Sequence, residues 1–133
     1  MKFKPITQEH TAGCAIACVA SILNINYKKA LNFFNKDNVS IRGYYCSEIV
    51  KALNKNGLNY KSSKVNSKTK RFLSKQGTIV FVKRSKKYPI GHYLLKTNNG
   101  WMNPWINFPE INPAKSGFNK KLPGKAQWII YSN

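Results

Sequence analysis

Three side chains spread along this sequence have the types and order needed for nucleophilic acyl transfer: Cys14, His92 and Asn103. Cys14 follows the polar, turn-prone segment Gln8-Glu9-His10-Thr11-Ala12-Gly13 and opens a strongly apolar stretch that runs to Leu23. A thiol at the start of a helix meets unsatisfied backbone N–H groups and the positive end of the helix dipole. Both favour thiolate, the form that attacks a carbonyl carbon. His92, in Gly91-His92-Tyr93-Leu94-Leu95, has the chemistry of a general base toward that thiol and then of a general acid toward a leaving amine. Asn103, in Trp101-Met102-Asn103-Pro104-Trp105, offers an amide to orient the imidazole through its other nitrogen. The expected activity is cleavage of a peptide or protein amide bond.

The elements that must carry these groups can be read from periodicity and turn signals. Residues 1–13 read as an extended polar lead-in, with Thr11 as a cap for a central, buried helix over 14–23. A short amphipathic helix is expected over 27–35, then a loop containing Asn38, Ser40 and Gly43. Ser47 is placed as the cap of a helix over 48–56 that Gly57 ends, which leaves Cys46 in a loop. A strand over 59–65 and a short basic helix over 68–75 follow. From 78 the pattern turns to β-branched and aromatic residues: strands over 78–83 and 91–97, a hairpin turn at Asn98-Asn99-Gly100, and a return over 101–103. The basic segment 84–89 is a loop, 108–123 is irregular, and 126–131 is a closing strand. Helices first and sheet second predict an α+β fold, a single domain over residues 1–133.

Taken in order, these residues resemble the start and middle of the C39 peptidases. Gln8, six residues before Cys14, and Gly13-Cys14-Ala15-Ile16-Ala17-Cys18 resemble that family's Gln and Asp-Cys-Gly-x-x-Cys. Ser47 to Leu53 through Gly57-Leu58 looks like its helix before a Gly-hydrophobic turn, Gly91-His92 like its Gly-His motif, and Asn103-Pro104 stands where Asp-Pro is usual. The resemblance covers about residues 8 to 105. It implies a papain-like cysteine peptidase fold, N-terminal helices packed on a C-terminal antiparallel sheet, and an enzyme that needs no cofactor and no metal. It also implies that Gln8 donates its side-chain amide, with the Cys14 backbone N–H, to the oxyanion. The chain departs from the family where Gly13 and Ala15 flank the cysteine and where Asn103 replaces an acid, which keeps orientation and gives up charge. Family members are best known for cutting leader peptides after a double glycine in bacteriocin-exporting transporters, and this sequence carries no transporter domain.

Composition bounds the alternatives. The chain has 133 residues, 23 Lys+Arg against 4 Asp+Glu, a formal charge of +19 and a pI of about 10.1. That balance is an attraction for nucleic acid, an acidic protein or an anionic membrane surface, so a basic binding module without catalysis is the main alternative reading. Acyl transfer or deamidation on the same site is a third, because a thioester serves whichever acceptor arrives. Three cysteines cannot all pair within one chain, so a disulfide scaffold is a poor reading. No run approaches the roughly 18 apolar residues of a membrane span, and the N-terminus has no secretory pattern, which makes the cytoplasm the default compartment. His10, Cys14 and Cys18 would share a helix face as metal ligands only if the helix ran back through Gly13. Cys18 reads as core, and the aromatics Tyr88, Tyr93, Trp101 and Trp105 gather around the His92–Asn103 region. Oligomeric state has no signal in the sequence.

Overall fold

The apolar stretch behind Cys14 becomes the helix on which the other layers pack. The computed structural model describes residues 3–39 and 42–133. Helix α1, Cys14–Leu23, buries Cys14 through Ile22 and has no solvated face. Its one hydroxyl in that run, Ser21 Oγ, donates to the Lys4 carbonyl at 2.7 Å, so no polar atom is stranded there. Asn24 closes the helix in the left-handed conformation, φ 56°. α1 packs on α2 (Tyr27–Leu31), on α3 (Cys46–Lys55) and on a central strand. In α3, Ile49, Ala52 and Leu53 turn inward, while Lys51 and Lys55 face solvent. Gly57, at φ +86°, ends α3 as expected: its N–H bonds the Asn54 carbonyl, and the Leu58 N–H bonds that of Leu53.

Six strands form one antiparallel sheet: β1 (Lys61–Lys64), β2 (Ile79–Val82), β3 (His92–Thr97), β4 (Gly100–Asn103), β5 (Gly117–Asn119) and β6 (Ala126–Tyr131). Their spatial order is β1-β6-β2-β3-β4-β5, every neighbour antiparallel. Side-chain alternation splits the apolar residues between two cores. Ile79, Tyr93, Leu95, Met102 and Ile130 pack with the helices. Val80, Val82, Leu94, Trp101 and Ile129 pack on the opposite face with Tyr88, under a cover that includes Phe72, Leu73, Phe108 and Leu122. The architecture is the expected α+β arrangement of helices against an antiparallel sheet.

Local physics moved several boundaries. Thr11 is not the cap of α1; Gly13 holds that position with no side-chain bond. Helix α3 begins two residues earlier than Ser47 suggested, because the Glu48 carboxylate reaches back to accept from the Tyr45 N–H at 2.8 Å. Ser47 and Cys46 therefore lie in the first turn of α3. The helix expected over 27–35 stops at Leu31 and gives way to a single 3₁₀ turn, Lys36–Asn38. The basic helix expected over 68–75 is likewise a 3₁₀ turn, Lys70–Ser74. Ser40, in the loop expected after the 27–35 helix, lies outside the described residues. The stretch 108–123, read as irregular, contains β5, a strand too short to show a period.

Candidate active site

The first turn of α1 and the start of β3 meet at one end of the sheet. Cys14 sits one residue after Gly13, whose missing side chain is a steric requirement: a Cβ there would lie 2.0 Å from the Tyr27 hydroxyl oxygen. Gly91 does the same for the strand. Its φ is +79°, and a Cβ would lie 2.0 Å from the Phe81 ring. Gly13 thus lets the start of α1 pack on Tyr27, and Gly91 lets the start of β3 pack on Phe81; between these two starts Cys14 Sγ accepts from the Tyr93 backbone N–H at 3.5 Å.

Alternation along β3 sends Tyr93 toward the helices and His92 to the opposite face. There the buried imidazole lies parallel to the Tyr88 ring, centroids 4.5 Å apart at 6°. His92 Nε2 and Asn103 Oδ1 are 2.7 Å apart. Asn103 Oδ1 also accepts from the Trp105 N–H at 2.9 Å, the turn chemistry expected of Asn-Pro. One oxygen thus serves a turn and an imidazole together. With Nε2 taken by Asn103, Nδ1 is the ring nitrogen left without a hydrogen bond among the described residues. Cys14 and His92 both line a cavity of about 180 Å³, together with Thr11, Tyr88, Pro89, Ile90, Gly91, Trp105 and Phe108. No hydrogen bond joins the sulfur to the ring among the described residues.

Burial sets the protonation of both groups. Desolvation pushes the Cys14 thiol up to about 11, although the backbone N–H groups of Tyr93, Ala15 and Cys14 itself pull it down. The helix start therefore does what was expected of it, but desolvation outweighs it. Desolvation also lowers His92 to about 4; the Asn103 bond opposes this, and the charge of Lys87 adds to it. The resting pair at neutral pH is a thiol and a neutral imidazole.

Gln8 is buried, its N–H bonded to the Pro104 carbonyl at 3.2 Å. Both hydrogens of its side-chain amide are engaged, on the carbonyls of His10 at 2.9 Å and Thr11 at 3.1 Å. Among the described residues its Oε1 is buried without a partner. Gln8 and Trp105 line a second cavity of about 320 Å³ with Glu9, His10, Thr11, Ile111 and Ala114. His10 bonds and stacks on Tyr27. Cys18 is fully buried in the core. Cys46 lies 3.6 Å from the Tyr93 hydroxyl. Of the aromatics expected nearby, Tyr88 and Trp105 line the cavity, while Tyr93 and Trp101 belong to the two cores. Sequence reasoning missed the stacking role of Tyr88 and the contact of Asn119 with Asn103. The first had a faint signal in the aromatic run, the second none.

The model of the family described as "Peptidase C39 family" matches residues 2–119. The fold is similar to that of the peptidase domain of Streptococcus ComA, a bifunctional ABC transporter involved in a quorum-sensing pathway. That match has a TM-score of 0.58 and 20% identity, and covers 97% of this chain and 96% of the other. No curated protein matches the sequence.

Proposed function

Because this chain belongs to the Peptidase C39 family of papain-like cysteine peptidases, we propose that it cleaves a peptide bond using Cys14, His92 and Asn103, with Gln8 beside the oxyanion. His92 Nδ1 takes the thiol proton as Cys14 Sγ attacks the carbonyl carbon. The tetrahedral intermediate collapses to a thioester while His92 returns the proton to the leaving amine. Water, deprotonated by His92, then hydrolyses the thioester and restores the thiol. Asn103 keeps Nε2 protonated and the ring in plane. The Cys14 backbone N–H is one oxyanion donor. Gln8 joins it by releasing one loop carbonyl, a rearrangement eased by its Oε1, which has no bond to lose.

The observation that carries this reading is the 2.7 Å His92–Asn103 contact on Nε2, which leaves Nδ1 to the cavity shared with Cys14. The narrow apolar walls of that cavity favour small residues next to the scissile bond. The test is digestion of a peptide library by the purified protein and by Cys14→Ala, read by mass spectrometry, with iodoacetamide mapping of the three cysteines alongside. Cleavage products that vanish with Cys14→Ala, and alkylation of Cys14 that His92→Ala slows while leaving Cys46 unchanged, are expected. Products that survive Cys14→Ala would sink the assignment.

A further inference from the structure

An asparagine in the orienting position creates a problem that a carboxylate does not have. Two carboxylate oxygens are equivalent, but an amide presents either an acceptor or a donor. With Oδ1 toward His92, Nε2 carries the proton and Nδ1 is a base. With the amide reversed, Nδ2 would donate to Nε2, the proton would sit on Nδ1, and His92 could not receive one from Cys14. In a buried, neutral imidazole the tautomer is set by this bond alone.

We propose that Asn119 is a positioning residue of this site, holding the Asn103 amide in the orientation that makes His92 a base; this rests on the His92–Asn103 reading above. Asn119 Oδ1 accepts from Asn103 Nδ2 at 2.9 Å. The sheet explains the reach. Asn103 pairs with Gly117 across β4 and β5, and Trp101 pairs with Asn119. Asn119 is thus the diagonal neighbour of Asn103 on one face, and no side chain stands directly opposite at Gly117. The Tyr88 hydroxyl, 3.4 Å from Nδ2, is a weaker second acceptor. On the other side, the Trp105 N–H holds Oδ1. Reversal would oppose two donors at Trp105, whose backbone N–H cannot turn, and two acceptors at Asn119 unless its amide reversed as well.

The chain has two histidines, so ring ¹⁵N shifts identify His92 readily. Native protein shows the Nε2–H tautomer. Asn119→Ala brings in Nδ1–H signal and slows iodoacetamide alkylation of Cys14 about fivefold, the size of one ordinary hydrogen bond. Asn119→Asp, which keeps an acceptor oxygen, retains the Nε2–H tautomer, and this rescue separates positioning from packing. In an Asn103→Asp background, Asn119→Ala has no further effect, because the carboxylate has no orientation to lose. An unchanged tautomer and rate in Asn119→Ala overturns the proposal. If Asn103→Ala also changes neither, the parent assignment of Asn103 fails with it; if Asn103→Ala changes both, only Asn119 falls.

Discussion

His92 is held neutral by burial and aimed by one hydrogen bond, and the two facts have different signatures in pH. Its pKa is depressed from 6.5 to about 4. A depressed pKa contributes stability that is present above 6.5 and lost as pH falls through 4, because the unfolded chain binds the proton first. The full difference is about 3 kcal/mol. Denaturant titrations between pH 7 and 4 should show stability falling for the native protein, with that part of the slope absent in His92→Gln. Cys14 has the opposite sign: raised from 9.0 to about 11, it contributes stability that is present below 9 and lost as pH rises through 11. Alkylation of Cys14 should accordingly keep rising well past the pH at which an ordinary thiol saturates, and Cys14→Ala should flatten the alkaline loss of stability. Residue type and order were enough to single out Cys14 and His92 as candidates. Their protonation was not, because desolvation depends on what the fold packs around them.

The two glycines show how elements, and not single side chains, assemble the site. Gly13→Ala would force a Cβ against the Tyr27 hydroxyl. Overpacking of this kind should cost about 1–3 kcal/mol, and Tyr27→Phe in the same chain should recover part of it in thermal melts. Gly91→Ala meets both a positive φ and the Phe81 ring, so it should be the more damaging of the two. The buried helix at 14–23 and the strands at 78–83, 91–97 and 126–131 were readable because their apolar runs are strong and local. Strand β5 was not. Gly117-Phe118-Asn119 has no period of its own and becomes a strand only by pairing with β4. Helix α3 began early because Glu48 caps backward onto Tyr45, a choice that competing cap signals at Ser47 concealed.

At the scale of the whole molecule the charge dominates. With +19 and one ion pair among the described residues, Arg42–Glu48 at 2.9 Å, most lysines face solvent uncompensated. The pair itself is exposed and worth little. Binding to DNA or heparin at low ionic strength should be appreciable and should fall steeply with added salt, on the log–log line expected for counterion release. Cys14→Ala should leave that line unchanged, because the field comes from the lysine surface and not from the cavity. A weak, salt-insensitive association would show that the lysine field does not drive binding.

The sequence by itself determined which chemistry was available: a thiol at a helix start, an imidazole after a glycine, and an amide before a proline, in a fixed order on elements with strong local patterns. Those are properties of neighbours along the chain, where propensity and periodicity act. Only the tertiary structure decided the state of the groups. Burial at the junction of α1 and β3 made both thiol and imidazole neutral, and it committed the Gln8 amide to its own loop. Pairing of β4 with β5 brought Asn119 to Asn103 and so selected an amide orientation. Desolvation and cross-strand contact depend on residues far apart in sequence, and no local pattern records them.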